Sequence, residues 1–127
     1  MRVLFVEDDA MNRRVVKDML TIVGVTMDEA EDAETGLRMV EAEDYDAILM
    51  DLRMPGMDGL TAVRIIRARD DRKARTPIIV ITADAGLGLR ETCLADGANE
   101  VLGKPVAMEA LFDALGETLA NDGDLMI

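Results

Sequence analysis

Short apolar runs alternate with longer amphipathic stretches five times along the 127 residues, and this alternation constrains the fold more than any other feature. It is typical of repeated strand–helix units, which build a parallel sheet with helices packed on its faces. Strands are predicted at residues 2–6, 25–30, 46–50, 77–82 and 99–102. Helices are predicted at residues 10–23, 34–43, 59–69, 87–96 and 107–119. The sequence therefore predicts an α/β protein built around five parallel strands.

The predicted strands differ in how apolar they are, which indicates where each one lies in the sheet. Strands 46–50 and 77–82 are apolar almost throughout, as expected of central strands that helices cover on both faces. Strands 25–30 and 99–102 have weaker patterns and are expected at the edges. We predict one domain over residues 1–120, a flexible tail at 121–127 and no output domain.

Composition excludes several classes of function. The formal net charge of −12 repels nucleic-acid phosphates and anionic lipid surfaces, so we expect neither nucleic acid nor membrane as a partner. No apolar run approaches the roughly 20 residues needed to cross a bilayer. The single cysteine, Cys93, cannot form an internal disulfide and is expected to be a small, half-buried helix residue. These features favour a cytoplasmic protein.

Polar side chains follow the predicted strands at the edge where ligands bind in parallel α/β sheets. Glu7 and Asp8 follow the first strand, and Asp51 follows the apolar run of the third. Three carboxylates at one edge repel each other unless a cation relieves the repulsion, and their oxygens are ligands that Mg²⁺ prefers. Thr82 closes the fourth strand and Lys104 follows the fifth, which adds groups that bind anionic oxygens. The sequence therefore predicts a site for Mg²⁺ and a phosphoryl group.

Short motifs extend this pattern beyond single residues. They are Val6-Glu7-Asp8-Asp9, residues 48–59 (ILMDLRMPGMDG), Ile81-Thr82-Ala83, Asp96-Gly97-Ala98 and Lys104-Pro105. Together they resemble the receiver domains of two-component response regulators, and the resemblance covers residues 2–119. It is close to the single-domain regulators and to the receiver segments of hybrid histidine kinases, which often carry a pair like Asn12-Arg13. The resemblance implies a flavodoxin-like (βα)5 three-layer sandwich with strand order 2-1-3-4-5.

The resemblance also implies roles for individual residues. Asp51 would be the phosphoacceptor, which takes a phosphoryl group from the phosphohistidine of a histidine kinase or a histidine phosphotransfer protein. The implied Mg²⁺ ligands are Glu7, Asp8, Asp51 and the backbone carbonyl of Arg53. The implied phosphoryl-binding groups are Lys104, the hydroxyl of Thr82 and the backbone N–H of Ala83. A cis peptide bond would precede Pro105.

The chain has no histidine, so it cannot be the kinase or the phosphotransfer protein of its own relay. We expect it to be a signalling switch rather than a turnover enzyme, to be a monomer or weak dimer, and to signal through a downstream protein target. The family usually has Tyr or Phe three residues before the conserved lysine, and here that position is Val101. We hypothesise that the signal instead uses the segment after the fourth strand, where Gly86 and Gly88 ease rearrangement. We also hypothesise that Arg53 and Asp84 form a lid over the site.

Other functions stay open at this stage. A phosphatase with an aspartate nucleophile usually needs a second aspartate two residues later, and here that residue is Arg53. A flavodoxin has a phosphate-binding loop rich in Ser, Thr and Gly after its first strand, whereas this chain has Glu7-Asp8-Asp9. The chain could also be the receiver segment of a hybrid histidine kinase, or an unphosphorylated docking scaffold with a receiver fold.

Overall fold

The computed structural model describes residues 1–121 and contains the predicted alternation of strands and helices. The strands are β1 (Arg2–Val6), β2 (Thr26–Ala30), β3 (Ala47–Asp51), β4 (Ile78–Thr82) and β5 (Glu100–Gly103). The helices are α1 (Ala10–Ile22), α2 (Ala33–Ala42), α3 (Gly59–Arg67), α4 (Leu87–Ala95) and α5 (Met108–Asn121), with a short 3₁₀ helix at Arg72–Arg75. Asn121 ends α5, and the rest of the predicted tail lies outside the described residues.

The strands form one parallel sheet in the order β2-β1-β3-β4-β5, which confirms the predicted flavodoxin-like fold. β2 and β5 lie at the edges, as their weaker patterns predict. β3 and β4 are fully buried and pair from Ile48 with Ile78 to Asp51 with Ile81. Because all strands point the same way, Val6, Asp51, Thr82 and Gly103 end at one edge of the sheet.

Helices cover both faces of the sheet, which makes the three layers. Side chains of α1 and α5, including Leu20 and Leu111, pack with Phe5 and Leu49 on one face. Side chains of α2, α3 and α4 pack with the other faces of β1, β3 and β4. Each fully buried Leu, Ile or Phe stabilises the fold by roughly 1.5–3 kcal/mol through burial. In residues 1–121, no helix is both long enough and apolar enough to cross a bilayer.

Aspartates cap three of the helices that begin near the edge of the sheet at which the strands end. Asp9, Asp32 and Asp58 each accept hydrogen bonds from backbone N–H groups in the first turns of α1, α2 and α3. Such a cap stabilises a helix by about 1 kcal/mol. α4 begins differently, because Gly86 occupies its N-cap position and supplies no side-chain cap within the described part of the chain. This difference sets α4 apart from the helices on the other side of the site.

Candidate functional site

Three carboxylates meet at the strand ends, as the sequence predicts. Glu7 is 0% exposed and Asp51 is 3% exposed, whereas Asp8 faces solvent. One carboxylate oxygen from each of Glu7, Asp8 and Asp51 lies within 4.8 Å of the others. Although Asp8 is exposed, partial desolvation of its carboxyl and the neighbouring Glu7 raise its pKa, because both disfavour its charged form. The cluster therefore concentrates negative charge at one point of the sheet edge.

Lys104 balances part of this charge. Its Nζ lies 2.7 Å from Glu7 Oε1 and 3.2 Å from Asp51 Oδ1. Burial alone would lower the pKa of this amine, but the hydrogen bond to Glu7 and the charge of Asp51 outweigh it and raise the pKa. The peptide bond between Lys104 and Pro105 is cis, as the resemblance implied. Lys104 thus pairs with two of the three carboxylates, those of Glu7 and Asp51.

The donor set fits a hard divalent cation. All three side chains offer carboxylate oxygens, which are the ligands that Mg²⁺ and Ca²⁺ take in proteins. The cluster carries more negative charge than Lys104 alone can neutralise. The surrounding cleft has a volume of about 200 Å³, and predicted site residues that line it are Glu7, Asp8, Asp51, Arg53, Ala83 and Lys104. This size accommodates a cation and a phosphoryl group together, so the residues present fit the predicted metal.

The turn after β3 brings the backbone close to Asp51. A Cβ atom added to Gly59 would lie 2.0 Å from the carbonyl oxygen of Asp51, so only glycine fits this position. The N–H of Gly59 donates to the carbonyl of Leu52 at 3.0 Å, and Gly56 has a φ of 81°. The backbone N–H of Arg53 lies 3.4 Å from Asp51 Oδ1. The apolar strand and this turn together fix the direction of the Asp51 side chain.

Thr82, the last residue of β4, and Ala83, which follows it, lie in different environments. Thr82 is 1% exposed, and its Oγ1 accepts a hydrogen bond from the N–H of Asp84 at 3.3 Å. Its hydroxyl therefore contacts the loop after β4, and among the described residues it is not part of the cleft lining. Ala83 does line the cleft. The cleft therefore brings together all the predicted site residues except Thr82.

The proposed lid residues are close but loosely paired. Arg53 Nη2 lies 3.9 Å from Asp84 Oδ2, and the two side chains are 79% and 63% exposed. An ion pair with this exposure contributes roughly 0–1 kcal/mol to stability. The geometry allows the lid and leaves its effect to be measured.

Two residues of α1 contact Glu7 in ways that the sequence interpretation did not assign. Asn12 donates from Nδ2 to Glu7 Oε1 at 3.0 Å. Arg13 donates from Nη1 to the backbone carbonyl of Glu7 at 2.6 Å and pairs through Nε with Glu29 at 3.0 Å. The signal available in the sequence was their position in the first turn of a helix that directly follows the acidic loop.

Val101 occupies the position at which the family usually has Tyr or Phe. It is 5% exposed, and its carbonyl accepts a hydrogen bond from Nη1 of Arg90 at 3.2 Å. Arg90 also pairs with Glu100, which ties α4 to β5. The environment of Val101 is thus a packed β5–α4 contact that includes a partly exposed ion pair.

Comparison with known proteins gives one consistent result. A family described as "Response regulator receiver domain" matches residues 3–116. Sensor histidine kinase AruS of Pseudomonas aeruginosa is 40% identical over 118 residues, which are 92% of this chain and 12% of that kinase. The chain therefore spans a small part of the curated kinases that it matches.

Solved structures agree in fold and sequence. The receiver domain of sensor histidine kinase PA1611 from Pseudomonas aeruginosa, described with a magnesium ion in its active-site cleft, is 39% identical with a TM-score of 0.85, and the match covers 94% of this chain and 97% of that one. Chemotaxis protein CheY4 of Vibrio cholerae is 29% identical with a TM-score of 0.86, over 93% and 98% of the two chains.

Proposed function

This chain belongs to the response regulator receiver domain family of two-component systems, and from that premise we propose that Asp51 is its phosphoacceptor. The proposed donor is the phosphohistidine of a histidine kinase or of a histidine phosphotransfer protein. The observation that carries the proposal is the buried Asp51 carboxylate beside the Lys104 ammonium, 3.2 Å apart, in a cleft open to solvent. A nucleophile, an anion-binding group and acidic metal ligands therefore occupy one cleft.

The chemistry assigned to these residues is in-line phosphoryl transfer. One Asp51 oxygen attacks phosphorus, the bond from phosphorus to the donor imidazole breaks, and an acyl phosphate forms. A carboxylate is a weak nucleophile, so rate enhancement comes from alignment and from neutralisation of charge on the phosphoryl oxygens. Lys104 supplies one positive charge there, and we assign a further hydrogen bond to the Ala83 N–H. Thr82 would have to turn from the Asp84 N–H to reach the phosphoryl group.

We propose Mg²⁺ as the cofactor, held by Glu7, Asp8, Asp51 and the backbone carbonyl of Arg53. When bound, Mg²⁺ would neutralise charge on the cluster and on the phosphoryl oxygens. The support is the all-oxygen donor set with oxygens within 4.8 Å, together with the magnesium ion described for the receiver domain of PA1611. Lys104 would orient the carboxylates of Glu7 and Asp51 through its ion pairs. Asp8 would bind the cation as a carboxylate.

The decisive experiment is direct phosphorylation. We would incubate the protein with Mg²⁺ and a small phosphodonor such as acetyl phosphate, and then measure intact mass and map the modified peptide. We expect one labile phosphoryl group on Asp51, none with Asp51→Asn, and normal labelling of the matched surface control Asp70→Asn. Labelling that survives Asp51→Asn, or no labelling in any form, would contradict the proposal.

Measuring phosphate release and flavin binding in the same samples separates the alternatives. A phosphatase would release inorganic phosphate over many turnovers without accumulating phosphorylated protein, a flavodoxin would bind flavin, and a docking scaffold would gain no phosphate. We propose a switch whose single acyl phosphate controls binding to a downstream protein, in the cytoplasm, as a monomer or weak dimer. A receiver segment of a hybrid kinase is the second candidate, favoured by sensor kinases of which this chain matches only a small part.

A further inference from the structure

Glu7 is a fully buried carboxylate with an unequal distribution of partners. Its Oε1 accepts hydrogen bonds from Lys104 Nζ at 2.7 Å and from Asn12 Nδ2 at 3.0 Å. Its Oε2 has only a long contact of 3.5 Å with the Asp9 N–H within the described residues. Both strong donors therefore hold the same oxygen, and the second oxygen is left available to a cation.

Lys104 and Asn12, the two donors to Glu7, differ in charge and in their other contacts. Lys104 also contacts Asp51 at 3.2 Å, so a phosphoryl group on Asp51 would draw the ammonium toward its oxygens and away from Glu7. Asn12 is half-buried in the first turn of α1, and its side chain is neutral. Because it carries no charge, its amide is drawn toward a phosphoryl group less strongly than the Lys104 ammonium is.

We propose that Asn12 is a positioning residue that holds the Glu7 carboxylate with one oxygen directed at the divalent cation, most strongly when Lys104 is engaged elsewhere. The inference rests on the proposed function and adds a residue outside the predicted ligand set. Groups that orient metal ligands typically change metal affinity by 10- to 100-fold when they are removed. Asn12 also lines the cleft, and we assign its effect on the metal to its hydrogen bond with Glu7.

Contacts from the next residue support this role. Arg13 fixes the backbone of Glu7 by donating to its carbonyl at 2.6 Å. Arg13 is itself anchored by Glu29, which also pairs with Lys17 at 3.2 Å. Partial burial opposes ionisation of Glu29, but its hydrogen bonds to Lys17 and Arg13 outweigh burial and lower the pKa of Glu29, so the anchor stays charged at neutral pH. The first turns of α1 therefore hold both the backbone and the side chain of Glu7.

The test is a cycle of Mg²⁺ titrations by isothermal calorimetry on the full chain without a phosphodonor. The variants are Asn12→Leu, Lys104→Met and the double variant, compared with the unchanged protein. Asn12→Leu keeps the side-chain volume and the charge but removes the donor. We expect it to weaken Mg²⁺ binding about 10-fold, and to weaken it several-fold more in the Lys104→Met background, where Asn12 is the remaining strong donor.

Two further variants separate positioning from a structural role. Asn12→Gln retains an amide donor and should bind Mg²⁺ more tightly than Asn12→Leu. Arg14→Gln changes an exposed α1 residue that pairs with Asp18, and should leave the affinity unchanged. Melting curves with chelator establish that each variant is folded.

The outcomes distinguish this inference from the proposed function. If the unchanged protein fails to bind Mg²⁺, the proposed metal site is wrong and the inference falls with it. If it binds Mg²⁺ and Asn12→Leu binds equally well, or loses the same factor with and without Lys104, the inference alone is overturned.

Discussion

The two sides of the active edge are built differently. On the side of β1 and β3, buried Glu7 and Asp51 are held at 2.7 and 3.2 Å by Lys104, which reaches across to them from the end of β5. On the side of β4 and β5, α4 begins at Gly86 without a side-chain cap in the described chain, and Gly88 follows in its first turn. Charge binds the first side together before any ligand arrives, whereas on the second side the start of α4 lacks a side-chain cap.

This difference assigns separate tasks to the two sides. Groups that must align a phosphoryl transfer need fixed positions, and the buried charges provide them. An element that changes shape after the transfer must have low local stability. We expect α4 to meet that requirement, because its glycines disfavour the helix start and its link to β5 includes the partly exposed Arg90 and Glu100 pair. We therefore expect mutations to affect stability mainly on the first side and rearrangement mainly on the second.

The largest expected effect is on the charged side. Lys104→Met leaves Glu7 buried at 0% exposure without its cation, which should lower the free energy of unfolding by about 3 kcal/mol in metal-free protein. The matched change on the other side, Arg90→Met, breaks a pair whose side chains are 39% and 22% exposed and should cost about 1 kcal/mol or less. Urea denaturation with chelator measures both.

The pH dependence of the first effect has a definite sign. The folded state raises the pKa of Lys104 above its ordinary 10.5, so its stabilisation is complete below that value and is lost as the pH rises through the folded-state pKa. The deficit of Lys104→Met should therefore shrink above roughly pH 10.5. Equal costs for Lys104→Met and Arg90→Met would remove the proposed difference between the two sides.

The next effect concerns rearrangement in α4. Gly88→Ala should stabilise α4 by roughly 0.5–1 kcal/mol, because glycine is unfavourable in a helix and the added methyl group meets no atom within 4 Å in the described structure. Amide exchange in residues 87–95 should slow by up to about fivefold. An acyl-phosphate mimic with Mg²⁺ should change exchange in residues 83–96 of the unchanged protein, and less so in Gly88→Ala.

Gly116→Ala is the matched control, because Gly116 lies in α5 with equally free space around its Cβ position. It should stabilise α5 and leave the response of α4 to the mimic unchanged. If the mimic leaves exchange in residues 83–96 unaltered, the signal does not travel through α4. If both glycine variants reduce the response equally, the effect is global stability and not local rearrangement.

The sequence predicted what backbone topology decides. Parallel strands bring their ends to one edge, so Glu7, Asp8, Asp51 and Lys104 could be grouped before any coordinates. The contacts that it missed depend on helix rotation and side-chain direction. One example is the hydrogen bond from Asn12 to Glu7. The 3₁₀ helix at Arg72–Arg75 was not predicted, because its four residues have no apolar periodicity.

The burial of Cys93 was also predicted incompletely from the sequence. It was expected to be half-buried, and it is 0% exposed in the cluster beneath α4. The pattern of α4 is weakly amphipathic, with exposed Leu87 and Leu94 on the same helix, so the sequence does not identify the buried face. The sequence therefore predicted the bounds of α4 closely but not the full burial of Cys93 within it.

The smallest expected effect lies where the two sides meet, at the pair of Arg53 and Asp84. Arg53→Ala should change stability by less than about 1 kcal/mol, since the pair is exposed and 3.9 Å apart. Its effect should appear in the lifetime of the acyl phosphate, because the loss of the side chain opens the path of water to phosphorus. A pair of up to about 1 kcal/mol can slow that reaction by at most about fivefold.

The control for this prediction is Arg72→Ala, which breaks an ion pair with Asp44 of similar exposure, 77% and 63%, away from the cleft. Dephosphorylation of the purified acyl phosphate should be faster in Arg53→Ala and unchanged in Arg72→Ala. Equal lifetimes in all three proteins would mean that Arg53 and Asp84 do not restrict water. Access to the phosphoryl group would then depend on the other residues that line the cleft, and we would expect α4 to act only after the transfer.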